Sequence, residues 1–149
     1  MSKKKEKKQK SIGDISPAQY REFLSKVHLA DLSLVTLSSE IHKDKFIPEN
    51  NPSVSISDKY KIVDFEKNVK AVSTFTLKVQ SNKSDDLILS ITGSYEILLI
   101  TDGDIPKSFW NVYKSITLPL KIWPYFRELV QNITSRMNIP PLTLPILYK

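Results

Sequence analysis

The sequence predicts an α+β protein: a four-stranded antiparallel sheet with helices packed on one face. Two observations carry this prediction. Four runs between residues 27 and 100 place Val, Ile, Leu and aromatic residues at a period of two, and turn-forming clusters separate them, so the strands run antiparallel. Proline-opened segments with apolar residues every three or four positions lie before the first run and after the last. Strands grouped between helices make a sheet covered on one side.

The first element is a helix over residues 17–26. Ser16 caps it, Pro17 takes the first helical position, and Tyr20, Phe23 and Leu24 share one face. A strand follows over residues 27–41. Val27 and Leu29 lie on one phase and Leu32 and Leu34 on the other, which predicts a bulge or bend near Asp31. Residues 46–52, with two prolines and two asparagines, form a loop. Val54, Ile56, Tyr60 and Ile62 then mark a half-buried strand. The clearest strand covers residues 69–80, with Val69, Ala71, Phe75, Leu77 and Val79 on one face. After the turn at residues 81–85, a fourth strand covers residues 87–100. Its second face begins polar at Ser90, Thr92, Ser94 and Glu96 and ends apolar at Leu98 and Ile100, which predicts a second layer over that end.

A helix beginning at Pro106 carries Phe109, Trp110, Tyr113 and Ile116 on one side, with Asp102 or Asp104 near its positive end. Residues 117–120 connect it to a last helix with Pro124 in the first turn, where a missing N–H costs nothing. Ile122, Phe126, Leu129, Val130, Ile133 and Met137 form the apolar face of that helix, which stops before Pro140 and Pro141.

The net charge of +6 suggests nucleic acid until it is located. Residues 1–10 hold six lysines and Glu6, and the 16 basic and 15 acidic residues elsewhere nearly cancel. The expected organisation is a disordered basic tail at residues 1–10 and a single domain at residues 11–149. The alternative function this tail allows is a nucleic-acid-binding module, with affinity falling steeply in salt. The tail has no apolar stretch of signal-peptide type, and no apolar run is long enough to span a membrane, so a cytoplasmic protein is expected.

Catalytic chemistry finds little support. With no cysteine and His28 and His42 far apart, thiolate and imidazole metal sites are not expected. Gly13, Gly93 and Gly103 are isolated, so there is no phosphate-cradling loop, and no serine lies in an activating motif. Neither an enzyme nor a bound cofactor is expected. An aliphatic sheet and aromatic helices favour a binding protein.

Residues Trp123-Pro124-Tyr125-Phe126-Arg127-Glu128, then Met137, then Ile139-Pro140-Pro141-Leu142-Thr143-Leu144-Pro145, resemble the signature of the SecB family of export chaperones. The motif covers residues 122–145, and the order of strands and helices extends the resemblance back to about residue 27. The resemblance implies a SecB-like protomer that assembles as a dimer of dimers and holds unfolded polypeptide, antitoxin or preprotein, in apolar grooves without ATP. Three departures set the chain apart from the export type. The chain ends soon after the Pro-rich segment, it has an extra helix before the first strand, and Ser90, Thr92 and Ser94 replace the acids that dock the translocation motor. These departures fit relatives that guard the antitoxin of a toxin–antitoxin system. Under this reading Phe23, Leu24, Leu32, Leu34 and Val35 line the peptide groove, followed by Trp110 and Tyr113. The last helix serves packing and assembly, and Arg127 and Glu128 make charged contacts at its N-terminal turn or across subunits.

Overall fold

The structure, a computed structural model, describes residues 15–64, 68–140, 142 and 144–146. The basic tail expected at residues 1–10 lies outside them, as do Pro141 and Thr143 of the Pro-rich segment. The elements are α1 (Pro17–Leu24), β1 (Val27–Ile41), β2 (Pro52–Asp64), β3 (Asn68–Ser81), β4 (Leu87–Thr101), α2 (Lys107–Val112) and α3 (Leu118–Arg136). Four antiparallel strands stand in the order β1-β4-β3-β2, so β1 and β2 are the edges. Two 3₁₀ turns, Lys43–Lys45 and Pro48–Asn50, carry the chain from one edge to the other, and Phe46 between them packs against the core.

The strand predictions hold closely. The phase change near Asp31 is a bulge at Ala30, which returns Leu32 and Leu34 to the face that Val27 and Leu29 already occupy. A second bulge at Val35 does the same for Leu37. On β3, Val69, Ala71, Ser73, Phe75, Leu77 and Val79 are all buried while the residues between them are not. Phe75 stacks on Phe126 with ring centroids 5.1 Å apart and tilts against Trp123 at 5.8 Å. Fully burying side chains of this size contributes roughly 1.5–3 kcal/mol each before conformational entropy is charged.

The helical region departs from expectation. No open connection separates the last two helices: Tyr113–Thr117 is a π-helical turn, and residues 107–136 are helical throughout. Pro119 takes the first turn, and Pro124 lies inside α3 rather than opening it. The proline is tolerated because Leu120 and Pro124 are on the exposed side, so the carbonyl left without a donor lies on the face open to solvent. Pro106 is the N-cap of α2 rather than its first residue, and no acid lies in its first turn. Nor does a second layer cover the apolar end of β4: among the described residues Ile100 is 43% exposed.

The end of α3 follows a Schellman pattern. Asn138 adopts a positive φ of 56°, its N–H donates to the Ser135 carbonyl, and the Ile139 N–H donates to that of Thr134. The chain then returns along α3, held by the buried Leu144. Trp123 Nε1 donates to the Pro145 carbonyl at 2.8 Å, and Arg127 Nε donates to that of Leu144 at 2.9 Å. Arg127 therefore anchors backbone, and among the described residues neither it nor Glu128 forms an ion pair within the chain.

Candidate functional site

The helical layer covers β3 and β4 and leaves the inner face of β1 partly bare. Leu29, Leu34 and Leu37, which point to that face, are each between 41% and 43% exposed, although β4 behind them is buried. Between this face and α3 runs a groove of about 300 Å³ lined by Leu32, Leu34, Tyr95, Tyr125, Glu128, Leu129 and Asn132. Its floor depends on Gly93. A Cβ there would lie 2.9 Å from Leu129 Cδ2, close enough to displace that side chain, and in ordinary contact with Leu34 Cδ1 at 3.5 Å, so the absence of a side chain lets Leu129 sit this low. Glu128, Asn132 and the Tyr125 ring offer polar groups along one rim, above an aliphatic floor. Burial, with a smaller contribution from the Glu128 carboxylate, pushes the Tyr95 hydroxyl up to about 12, so it stays a neutral donor under the groove.

The predicted lining residues separate into two groups. Leu32 and Leu34 line this groove, and Val35 sits beside it at the second bulge, 49% exposed. Phe23 and Leu24 are half-buried on α1, which lies against α2. Tyr20 stacks on Phe109 at 5.0 Å, Phe23 meets the same ring edge-on at 6.1 Å, and the Tyr20 hydroxyl bonds the Thr117 hydroxyl. Beneath them Trp110 and Tyr113 are 2% and 0% exposed. They are core residues of the chain by itself rather than an open lining, because α1 covers the face that their spacing marks as apolar. The groove residues the sequence did not single out are Gly93, Tyr95, Tyr125, Glu128, Leu129 and Asn132. A lone glycine in mid-strand, a mark of close approach, was the available signal.

The Tyr113 hydroxyl is buried and has no hydrogen-bond partner among the described residues. Burial, and then the neighbouring Tyr20, raise its pKa from 10.0 to about 12. In the unfolded chain tyrosines ionise near pH 10, so between pH 10 and 12 the unfolded state loses protons that the folded state keeps. Tyr113 and Tyr95 therefore make stability flat below pH 10 and falling from pH 10 to 12, measurable as the denaturant midpoint. Tyr113→Phe reduces the fall and raises stability by about 1 kcal/mol, because it removes an unpaired polar atom.

A side-chain cluster of metal-binding type is not found among the described residues: no group of three or more His, Asp or Glu is placed to hold a metal ion. His28 meets Asp102 and His42 meets Glu40, each at 2.8 Å, both pairs exposed. The sequence did not anticipate either partner, and Asp102 serves His28 rather than the α2 terminus. No helix among the described residues is long and apolar enough to cross a membrane.

No protein-family model matches the chain, and no curated protein matches it in sequence. Solved structures do. A SecB-like chaperone of Mycobacterium tuberculosis, in complex with a ChAD peptide from the HigA1 antitoxin, superimposes with a TM-score of 0.75 at 19% identity, over 87% of this chain and 97% of that one. A protein of unknown function from Streptococcus agalactiae matches with a TM-score of 0.51 at 12% identity, over 80% of this chain and 97% of that one. The chain has the SecB-like fold, the α+β architecture expected from its sequence.

Proposed function

We propose that the protein is an ATP-independent holdase that seats an extended, non-native polypeptide on the inner face of β1 along α3. The observation that carries this reading is the row of half-exposed leucines on the inner face of β1, Leu29, Leu34 and Leu37, of which Leu34 together with Leu32 lines the open groove against α3. An unfolded segment offers what the groove lacks, apolar side chains for the leucine floor and backbone groups for the polar rim. Binding the unfolded state in preference to the folded one is sufficient to hold a client, so neither nucleotide nor catalysis is required. Phe23 and Leu24 extend the lining at the α1 end and Val35 extends it beyond Leu34, away from α1; Trp110 and Tyr113 join it only where α1 moves aside.

The fold shared with a chaperone bound to an antitoxin peptide supports a client of that kind; the site of action proposed for this protein is the cytoplasm. Preprotein export is less well supported, since the middle of β4 presents Ser90, Thr92 and Ser94 on the opposite side of the sheet. Ile116, Leu120 and Pro124 form an exposed apolar stripe at four-residue spacing on the helical layer. This stripe fits assembly of copies as a dimer of dimers, separate from the groove.

Backbone amide exchange with and without a permanently unfolded client tests the assignment. Protection is expected at residues 32–37 and 125–132. Protection confined to other elements contradicts it.

A further inference from the structure

The opposite face of the sheet carries a second feature, which does not depend on the holdase reading. Among the described residues β2 is an edge strand with a neighbour on one side only. On its outer face Lys59 and Lys61 stand two residues apart, opposite Thr74 and Val72 of β3. With Tyr60 they bound a shallow trough of about 270 Å³ over Val72 and Thr74. Neither lysine has an ion-pair partner among the described residues, whereas Lys70 nearby is held by Glu96 at 3.0 Å. Thr74 bonds Ser94 at 2.7 Å, so the floor is hydroxyl-rich and flat.

Edge lysines commonly serve only to deter strand addition. Here the deterrence is selective. A second copy of this chain pairing at β2 brings lysines against lysines, whereas an acidic strand brings them their counterions. A strand added to the free edge of β2 places side chains directly beside those of β2, and its residues i and i+2 fall on one face roughly 6.8 Å apart. Two acids at that spacing meet Lys59 and Lys61. The residue between them falls on the inner face beside the half-buried Tyr60, which favours an apolar side chain.

We propose that the β2 edge is a docking site for an extended acidic polypeptide segment of the pattern acidic–apolar–acidic, bound by strand addition. Fluorescence anisotropy of a labelled peptide with Glu and Val alternating, titrated with the full chain in moderate and high salt, tests it. Saturable binding weakened by salt is expected. K59E/K61E should weaken it by about tenfold or more and gain affinity for the corresponding Lys–Val peptide. L34D should leave it unchanged, which separates failure here from failure of the holdase reading. Undetectable binding, or equal affinity for intact protein and K59E/K61E, overturns the proposal, the latter placing the peptide on the lysine-rich residues 1–10. A peptide N-methylated on alternate amides, in both phases, should lose binding in one phase; equal binding in both overturns strand addition. A single-stranded oligonucleotide that loses as much affinity as the peptide in K59E/K61E overturns the choice of a polypeptide.

Discussion

Leu34→Asp is expected to abolish binding of an unfolded client while the protein stays folded. Leu34 sits at the mouth of the β1–α3 groove with its Cδ1 over Gly93, and 41% of its surface is open to solvent. A carboxylate there places charge against Leu32, Leu129 and any apolar side chain a client brings, with no cation lining the groove. Burying an unpaired charge costs several kcal/mol, enough to erase an affinity in the micromolar range. In the free chain the carboxylate can face water at the sheet edge, so folding loses no more than about 1–2 kcal/mol. Circular dichroism and light scattering should show unchanged fold and mass. Leu34→Ser, which removes the apolar surface without adding charge, should weaken binding less than Leu34→Asp. An unfolded Leu34→Asp variant would identify the residue as core.

Trp123→Ala is expected to be the most damaging single change to stability, at about 3–5 kcal/mol. Trp123 is 1% exposed, lies against Phe75 and Phe126, and holds the returning C-terminal segment through its indole N–H. Truncation therefore opens a cavity between α3 and β3 and leaves the Pro145 carbonyl without its donor. For a domain of this size that lowers the melting temperature by about 10 °C, readable by calorimetry. Trp123→Phe keeps most of the packing and loses the hydrogen bond and part of the ring, for a smaller cost of about 1–3 kcal/mol. A small loss in Trp123→Ala would mean the core closes over the gap, contrary to the ring contacts described here.

The sheet was legible in the sequence because one buried face imposes a period of two on every strand, and even the bulge at Ala30 showed as a slip in that period. The second bulge, at Val35, did not, since Leu34, Val35 and Leu37 are apolar on either phase. The helical layer was read less well. Pro119 and Pro124 are both compatible with a first helical turn, and only the exposure of the Leu120 side shows why the second is carried inside α3. Spacing also marked Trp110 and Tyr113 as one apolar face without showing that α1 lies over it, because periodicity identifies a face and not what covers it. Half of the groove was visible in Leu32 and Leu34. The other half comes from α3 and Gly93, more than fifty residues away in sequence, and joins it only through the β1–β4 register.

Aggregation of a chemically unfolded client, diluted into buffer without nucleotide, shows whether the groove of this fold holds non-native polypeptide. Light scattering should be suppressed in proportion to the protein added, reaching completion at a molar excess, and Leu34→Asp at the same concentration should restore it. Unsuppressed aggregation at a molar excess of the intact protein would contradict this role of the groove.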